Sequence, residues 1–588
     1  MKNNSTNHAF TALARKLSFT VCFLALSVFA FAQQRVTGTV TDAAGEPVIG
    51  ASVVVEGTTT GTTTGVNGQY SLAVPAKSTL VFSFLGYKEV KVEVAGKTSI
   101  DITMTEDAAA LDEVVVIGYG TVKKRDLTGA VSSVKSDVVK LTPSANPMES
   151  LQGRIAGLDI TKSSGQAGAG VSMQLRGNRS ISEGGNPLIL IDGMPGNYSS
   201  LNPNDIESID VLKDASATAV YGSSGSNGVI IITTKKGKAG KLNVNFDAYV
   251  GISDWSVLPQ MSPDHYVSTV IEAQTWAGTY DEQQDVLNEA MREAYDKGHV
   301  IDWADAILNT GVTQNYSVSV SGGNDKTQAY FSANYSEEQG QYKRDNYKLY
   351  SSMIRLNHNV NKWLSAGIHT QLAYSDKESS YSKLEQAMRA NPFGQLYKED
   401  GSVNEYPVID DNRQVNLLLN EDRDAYRRPS HNFKLYFQPY VKITPLKGMT
   451  IESRLSAALN YSNSKSWVGY GSYQFYDQAG TGAVGRPNSE LANYTSASIS
   501  NSRSWGYTWE NILTYNFSIA DDHDFTVTGV TTYSHSQNES SSQSATGILS
   551  NVEKWTNMAK ATGTKNLTQI FTIIFERGFG LVGNFLRN

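Results

Sequence analysis

Apolar and polar residues alternate with a period of two through most of this chain, the pattern of strands that present one face to an apolar environment. Between Gln34 and Thr105 the alternation comes in short runs. These are Ala51, Val53 and Val55; Leu80, Phe82 and Phe84; Val90, Val92 and Val94; and Ile100, Ile102 and Met104. Turn-forming residues divide them at Gly45-Glu46-Pro47, Asn67-Gly68 and Ala95-Gly96-Lys97. Short strands at this spacing predict a small β-sandwich.

From Lys241 onward the runs lengthen. Leu242, Val244, Phe246, Ala248 and Val250 alternate with polar neighbours, as do Tyr316, Val318 and Val320. Ala366–Tyr374 and Ile451–Tyr461 repeat the pattern. Several runs approach the ~10 residues a tilted strand needs to cross a bilayer. Aromatics gather near strand ends at Tyr335, Trp363, Tyr374, Tyr461 and Tyr515, where an interfacial girdle would sit. Long polar segments such as Lys377–Pro429 alternate with short turns, which fits long outer loops and short inner turns. Roughly ten such strands are expected, fewer than the ~22 of a plugged barrel. After about Lys565 clean alternation is lost, and Ile570–Phe575 reads either as an atypical tail or as a fully buried segment.

Between these regions, Thr121–Gly237 mixes helix and strand signals. Asn146-Pro147 with Glu149 predicts a helix start, and Gly157 a stop. Ile189–Ile191 followed by Asp192-Gly193 predicts a strand and tight turn. Asp214 is expected to cap a short helix ending near Gly222, and Val229–Thr233 to form a buried strand. Ahead of this region lies Leu111–Lys124, with the strand-prone run EVVVIGYG after an acidic, Ala-rich spacer at Glu106–Ala110. That run reads either as an edge strand of a neighbouring domain or as a tethered strand that adds to another protein's sheet edge.

Composition narrows the compartment. Arg15 and Lys16 precede the apolar run Leu17–Phe31, and Ala30-Phe31-Ala32 fits a signal cleavage site at Ala30 and Ala32. The only cysteine, Cys22, lies inside that segment, so the exported chain would form no disulfide. A net charge of −7 without a basic stripe argues against nucleic acid as a partner. No later segment is an apolar helix of membrane length, but a barrel crosses with strands that score low on hydropathy.

Catalytic constellations are not evident. The histidines have no HExxH spacing, and neither a Walker A nor a GxSxG pattern occurs. Gly165–Gly170 precedes a predicted strand, which makes it a poor phosphate cradle. Asp205, Glu207, Asp210 and Asp214 read as a solvated acidic face, since carboxylates alone do not imply a metal. No enzyme, cofactor or metal site is expected.

The runs VTGTVTDAAGEPVIGASVVVEGT, LDEVVVIGYGTVKKRDLTGAV, LQGRIAGLDI, NPLILIDGMPG, IESIDVLKDASATAVYGSSGSNGVIIITTKKG and IDWADAILNTGVTQNYSVSVSGG occur in this order. In these the chain resembles the SusC/RagA-type TonB-dependent outer-membrane transporters of the Bacteroidetes. The resemblance implies a mainly β chain: a carboxypeptidase-regulatory-like β-sandwich, an α+β plug domain, then an incomplete antiparallel transmembrane β-barrel. It places a TonB box at Glu113, Val114, Val115, Val116 and Ile117. The implied division is a signal peptide at 1–32, sandwich at 33–107, linker with TonB box at 108–120, plug at 121–238, partial barrel at 239–565 and atypical tail at 566–588.

The same resemblance implies import of large nutrients, a glycan or peptide ligand, with a SusD-like surface lipoprotein as lid. TonB with ExbB–ExbD would supply the energy, and the setting would be outer-membrane lipid. Two residues depart from the family pattern, Ser224 where arginine is common and Ser226 where alanine is usual. They remove the expected plug–barrel ion pair at that point. The barrel is expected to be C-terminally truncated and, as written, unable to close. Alternative readings are a surface receptor or adhesin without transport, a nonfunctional fragment, or a secreted carboxypeptidase-like enzyme that lacks zinc-ligand spacing.

Overall fold

The computed structural model describes residues 33–587 apart from 43–44, 57, 59, 76–77, 85–86, 88–89, 106–113, 118–119, 124–130, 143, 178–184, 215–217, 258–259, 381–383, 408–413, 480–489 and 520–522. Ala30, Ala32 and Glu113 therefore lie outside the described residues. The chain divides into two compact units, one ending near Val115 and including Val122–Asp126, the other holding the remainder to Asn588.

The first unit is a β-sandwich. Its strands are β1 (Gln33–Thr41), β2 (Ser52–Val55), β3 (Gly61–Thr63), β4 (Gln69–Pro75), β5 (Thr79–Ser83), β6 (Val90–Glu93) and β7 (Ile102–Thr103). One sheet has the order β4-β1-β7 and the other β3-β2-β5-β6. The alternating residues face inward as their spacing predicts: Val53, Val55, Leu80, Phe82, Val94 and Ile100 are all buried. Gly68 has φ +71, and a Cβ there would stand 2.5 Å from the Val40 carbonyl oxygen, so the Asn67-Gly68 turn requires glycine twice over. The segment Val114–Ile117 (β8) pairs with Gly120–Lys123 (β9) as a separate two-stranded ribbon.

Within the second unit the α+β region holds β10 (Val131–Lys135), β11 (Leu158–Lys162), β12 (Val171–Leu175), β13 (Leu188–Ile191), β14 (Met194–Pro195), β15 (Ile206–Leu212) and β16 (Val229–Thr234). Five of them make a sheet in the order β10-β15-β16-β13-β14, and β11 pairs with β12. Met148, Leu151, Ile160, Ile209, Val211 and Ile232 are at its core. Asn146 caps a helical turn as predicted, its side chain accepting from the Met148 amide at 3.0 Å. The turn is a 3-10 helix ending at Leu151, well before Gly157. The Asp192-Gly193 turn has φ of +50 and +84, the left-handed pair of a type I′ hairpin.

The rest of the second unit is one large antiparallel sheet. It runs through β17 (Gly240–Ser253), β18 (Gly311–Gly323), β19 (Thr327–Gln339), β20 (Asn346–Asn359) and β21 (Leu364–Glu378). The short β22 (Tyr426–Arg427) pairs with β24, off the main path. The path continues through β23 (Pro429–Ile443), β24 (Met449–Val468), β25 (Ser496–Ile519), β26 (His523–Thr546) and β27 (Lys565–Arg587). Residues 565–587, set apart in the sequence by lost alternation, thus extend the sheet in full register with β26. Ile570–Phe575 is not a buried segment: Ile570, Phe571 and Phe575 are exposed. Among the described residues β17 and β27 are the two outer strands and do not pair with each other, so the barrel is partial.

This sheet is inverted relative to a water-soluble one. On β19, Phe331 is 44% exposed while its neighbour Ser332 is 0% exposed. Asn315, Ser317 and Ser336 are likewise buried, and Val318, Ile354 and Ile368 are exposed. An apolar outside and polar inside suit hydrocarbon around a filled lumen. Tyr316, Tyr335, Tyr350, Tyr374, Phe433 and Tyr461 stand opposite one another across six strands. Ring centroids along the first four are 6.4, 5.1 and 6.3 Å apart, one continuous aromatic row. Trp363 lies eleven residues before Tyr374. At a rise of about 3.3 Å per residue and a tilt of about 40°, that separation is roughly 28 Å along the normal, close to the apolar band of an outer-membrane barrel.

Long connections, 254–310 and 379–428, leave one end of the sheet and short ones leave the other. The long ones are folded: Trp303, Leu417 and Leu418 share a buried cluster with Tyr473 of the connection 469–495, and the Trp303 indole donates to the Asn391 carbonyl at 2.9 Å.

The sandwich core makes a direct prediction. Phe82 is fully buried and meets the Tyr70 ring edge-on at 5.4 Å. Phe82→Ala should cost the sandwich about 3–5 kcal/mol. Val66→Ala, at an exposed turn, should change stability by less than about 0.5 kcal/mol. Urea denaturation of both variants followed by proteolysis checks the contrast, and equal midpoints would contradict the assigned core.

Candidate functional site

The α+β region carries polar groups that meet the wall at several places, among them Lys140 on Asp247, Ser199 on Lys434 and Pro195 on Tyr436, and three of these places gather more than one contact. First is the β13–β14 turn. Asp192 accepts from the Thr234 amide at 3.0 Å and the Thr234 hydroxyl at 2.6 Å, both from β16. From the wall, Arg355 on β20 reaches Asp192 Oδ2 at 2.9 Å, and His369 Nδ1 on β21 stands 2.9 Å from the same oxygen. His369 Nδ1 also stands 3.1 Å from Gln438 Oε1, so it faces acceptors and is the donor to Asp192, while Nε2 lies 3.0 Å from the Gln371 amide. Burial opposes ionisation of Asp192, but the Arg355 charge with the His369 and Thr234 bonds outweighs it and holds the carboxyl well below the usual range. One residue on, the Gly193 carbonyl accepts from Arg454 of β24 at 3.1 Å, and Arg454 is paired with Glu510 of β25 at 2.7 Å.

Second is Asp205, only 3% exposed. It accepts from the Tyr330 hydroxyl at 2.9 Å and the Asn334 amide at 3.0 Å, both on β19. Burial pushes its carboxyl up, against the pull of those bonds. The solvated acidic face expected for Asp205, Glu207, Asp210 and Asp214 is therefore corrected: Asp205 and Asp210 are buried, and Asp205 is a wall contact. Its partners lie 125 and 129 residues away, so no local pattern announces them. Among the described residues, no group of acidic and histidine side chains is arranged to hold a metal.

Third is the loop Gly165–Gly170. The Ala167 amide donates to Asp345 and the Gly168 amide donates to Glu338 at 2.9 Å. Lys162 joins the same group at 3.0 Å from Glu338. Gly168 has φ +59, and a Cβ there would sit 2.5 Å from the Tyr347 ring, so only glycine allows this approach. Burial lifts the Asp345 carboxyl to about 6, although the Ala167 amide pulls the other way. Asp345 lies in the connection 340–345, at the long-loop end of the sheet. The glycine run is thus a latch onto the wall.

Of the residues that depart from the family pattern, Ser224 is exposed, and ion pairs from this region to the wall arise at Lys140, Lys162 and Asp192. Of the expected TonB-box residues, Val114, Val115, Val116 and Ile117 form β8, and Glu113 lies outside the described residues. Among the described residues β8 has only β9 as a strand partner.

Two predictions follow from the docking geometry. Asp192→Ala leaves the Arg355 guanidinium buried without its carboxylate, which should weaken docking by about 3–5 kcal/mol, with partial recovery on adding Arg355→Met. The urea concentration at which residues 131–234 become protease-sensitive measures this, and an unchanged midpoint for Asp192→Ala would remove its anchoring role. For Asp345 the pH dependence runs the other way from that of an ordinary salt bridge. Its folded pKa of about 6 exceeds the unfolded value of about 3.9, so the folded form binds the proton more tightly. The latch should therefore strengthen as pH falls from 7 toward 4, and Asp345→Asn should be firmer at pH 7 and lose that slope. A latch that weakens over this interval would contradict the assignment.

The comparisons with known proteins agree with this architecture. The CarboxypepD_reg-like domain family matches residues 36–116 and the TonB-dependent Receptor Plug Domain family matches residues 123–229. The TonB-dependent receptor P26 of Formosa agariphila is 31% identical over 542 residues, covering 91% of this chain and 52% of that protein. The TonB-dependent receptor SusC of Bacteroides thetaiotaomicron is 39% identical over 344 residues, covering 56% of this chain and 33% of that one. A solved structure of the RagAB peptide importer in the open-open state superposes with a TM-score of 0.67 at 23% identity, covering 81% of this chain and 55% of that chain. It shows a shared fold. The chain spans about half the length of curated relatives such as P26. With sequence identity across most of its length, both domain families in the expected order and this shared fold, the chain belongs to the SusC-like family of TonB-dependent receptors.

Proposed function

We propose that this chain is the sandwich, plug and partial wall of an outer-membrane importer of large nutrients, glycans or peptides. The observation that carries the reading is the folded plug docked by buried polar contacts on the inner face of an inverted, lipid-facing sheet. A wide barrel needs a filled lumen to avoid leaking, and a filled lumen needs an energy input to pass cargo. Relatives named TonB-dependent receptors support TonB, with ExbB–ExbD, as the source of that energy. A SusD-like lipoprotein would close the long-loop end. The proposed domain limits are those of the sequence reading: sandwich 33–107, linker 108–120 and plug 121–238.

Glu113–Ile117 is the proposed TonB box. A strand has two edges, and β9 occupies one edge of β8, so a periplasmic partner can add to the other or displace β9. Main-chain pairing tolerates most side chains but not proline, which removes a donor and fixes φ. In a version with a complete barrel, Val115→Pro should abolish energy-dependent uptake while leaving ligand binding at the cell surface unchanged. Uptake at the parental rate would reject the box. A parent that binds ligand yet never takes it up would favour the receptor reading instead.

A further inference from the structure

The short connections 324–326, 360–363 and 444–448 border a cavity of about 500 Å³ at the end of the sheet opposite the long loops. In an outer-membrane wall this end faces the periplasm. Two cations, Lys326 and Lys362, line the cavity from neighbouring turns. Among the described residues no acidic side chain lines it, and neither lysine is held in an ion pair. Asp325 shares the turn of Lys326 but stays outside the lining.

The turns are tied to one another. The Asn359 side-chain amide donates to the Asp325 carbonyl at 2.9 Å, and the Asn359 backbone N–H donates to the Lys326 carbonyl at 2.7 Å. Asn361 Oδ1 accepts from the Trp363 and Leu364 N–H groups at 2.9 and 2.8 Å and so shapes the second turn. The Thr444 N–H donates to the Trp363 carbonyl at 2.8 Å and joins the third. The two ammonium-bearing turns are therefore positioned before a ligand arrives, which lowers the cost of binding one.

A second observation concerns depth. Trp363 lies roughly 28 Å along the membrane normal from the aromatic row at Tyr374, at the opposite boundary of the apolar band. Lysines beside an interfacial indole stand at the level of lipid phosphates. Val360, Trp363 and, on the third turn, Leu446 are exposed at that level. A soluble anion would engage the ammoniums and leave the apolar lining idle, whereas a phospholipid engages both. A zwitterionic headgroup would bring its own ammonium to a lining that offers it no carboxylate.

We propose that this cavity binds a net-anionic phospholipid of the periplasm-facing leaflet. The Lys326 and Lys362 ammoniums hold its phosphate oxygens, and Val360, Trp363 and Leu364 meet the glycerol and the first acyl carbons. The lipid ties adjacent turns to the leaflet and fixes the depth of the wall at its periplasmic rim. The proposal rests on the membrane setting of the sheet and is independent of what is imported.

The full chain, purified in detergent, is titrated with dioleoylphosphatidylglycerol, dioleoylphosphatidylethanolamine and inorganic phosphate, and bound copies are counted by native mass spectrometry. The phosphatidylglycerol should bind more tightly than the phosphatidylethanolamine, and a large molar excess of inorganic phosphate should not displace it. Lys326→Gln and Lys362→Gln should each weaken the anionic complex roughly tenfold, as loss of one charge-assisted hydrogen bond implies. Both lysines are exposed, so neither substitution disturbs a core, and circular dichroism confirms folding. Lys447→Gln removes the same charge from the third turn, outside the lining, and should weaken binding clearly less. Trp363→Ala should weaken both lipids alike. Equal affinity for the two lipids, or parental affinity in both lysine variants, would overturn the site. Displacement by inorganic phosphate would assign it to a soluble anion instead, and an equal loss in Lys447→Gln would assign the attraction to the whole rim; either result rejects the proposal.

Discussion

A strand in hydrocarbon has no water to receive its amides, so every backbone donor must find the next strand. That constraint sets the character of the second unit. It demands a continuous sheet, and the sheet in turn dictates which side chains face lipid. Because successive residues point to opposite faces, a lipid-facing Phe331 forces a lumen-facing Ser332. The polar inner wall is therefore a by-product of an apolar outer one. Whatever fills the lumen must match a wall of serines, asparagines and scattered charges.

The plug meets that wall with carboxylates and backbone amides. Asp205 is buried and the Asp192 side chain is 10% exposed, yet their environments pull in opposite directions. Asp192 has a guanidinium beside it and is held ionised. Asp205 has only neutral donors on the wall and is pushed toward its protonated form. A buried ion pair contributes little net stability but is costly to break on one side only, which favours geometric definition over strength. The aromatic row at Tyr316–Tyr374 performs the corresponding task on the outer face, fixing depth where the core contacts fix orientation.

Much of this was legible along the chain, and the reasons differ by element. The sandwich strands were visible because one face is dry and the other wet, so Val53, Val55, Leu80 and Phe82 alternate strictly. The Asp192-Gly193 turn was visible because two consecutive positive φ values leave few residue choices. What escaped was whatever depends on a distant partner. Asp205 looks like any exposed aspartate until Tyr330 and Asn334 are brought to it. Arg355, His369 and Gln371 read only as the polar half of an alternation. Strand β27 was obscured because apolar residues occupy both of its faces, Ile574 on one and Phe575 on the other, which erases the period. The buried loop cluster around Trp303 was missed because short helices in long connections carry too few residues to establish a 3.6 period.

The order of strands in the plug sheet has a mechanical meaning. β10 is one of the two edge strands, held by five residue pairs to β15, and it is the first plug strand after the ribbon β8–β9. The wall anchors come later in the chain, beginning at Lys140 and continuing through Lys162, Ala167, Asp192 and Asp205. A tension applied through the segment 114–117 would load β10 before any of them. The β10–β15 seam is the short link in that series, and its rupture would relieve the load while the anchored remainder kept its seat. Chain order would thus make the plug yield from its edge inward, with a segment rather than the whole body as the unit of motion.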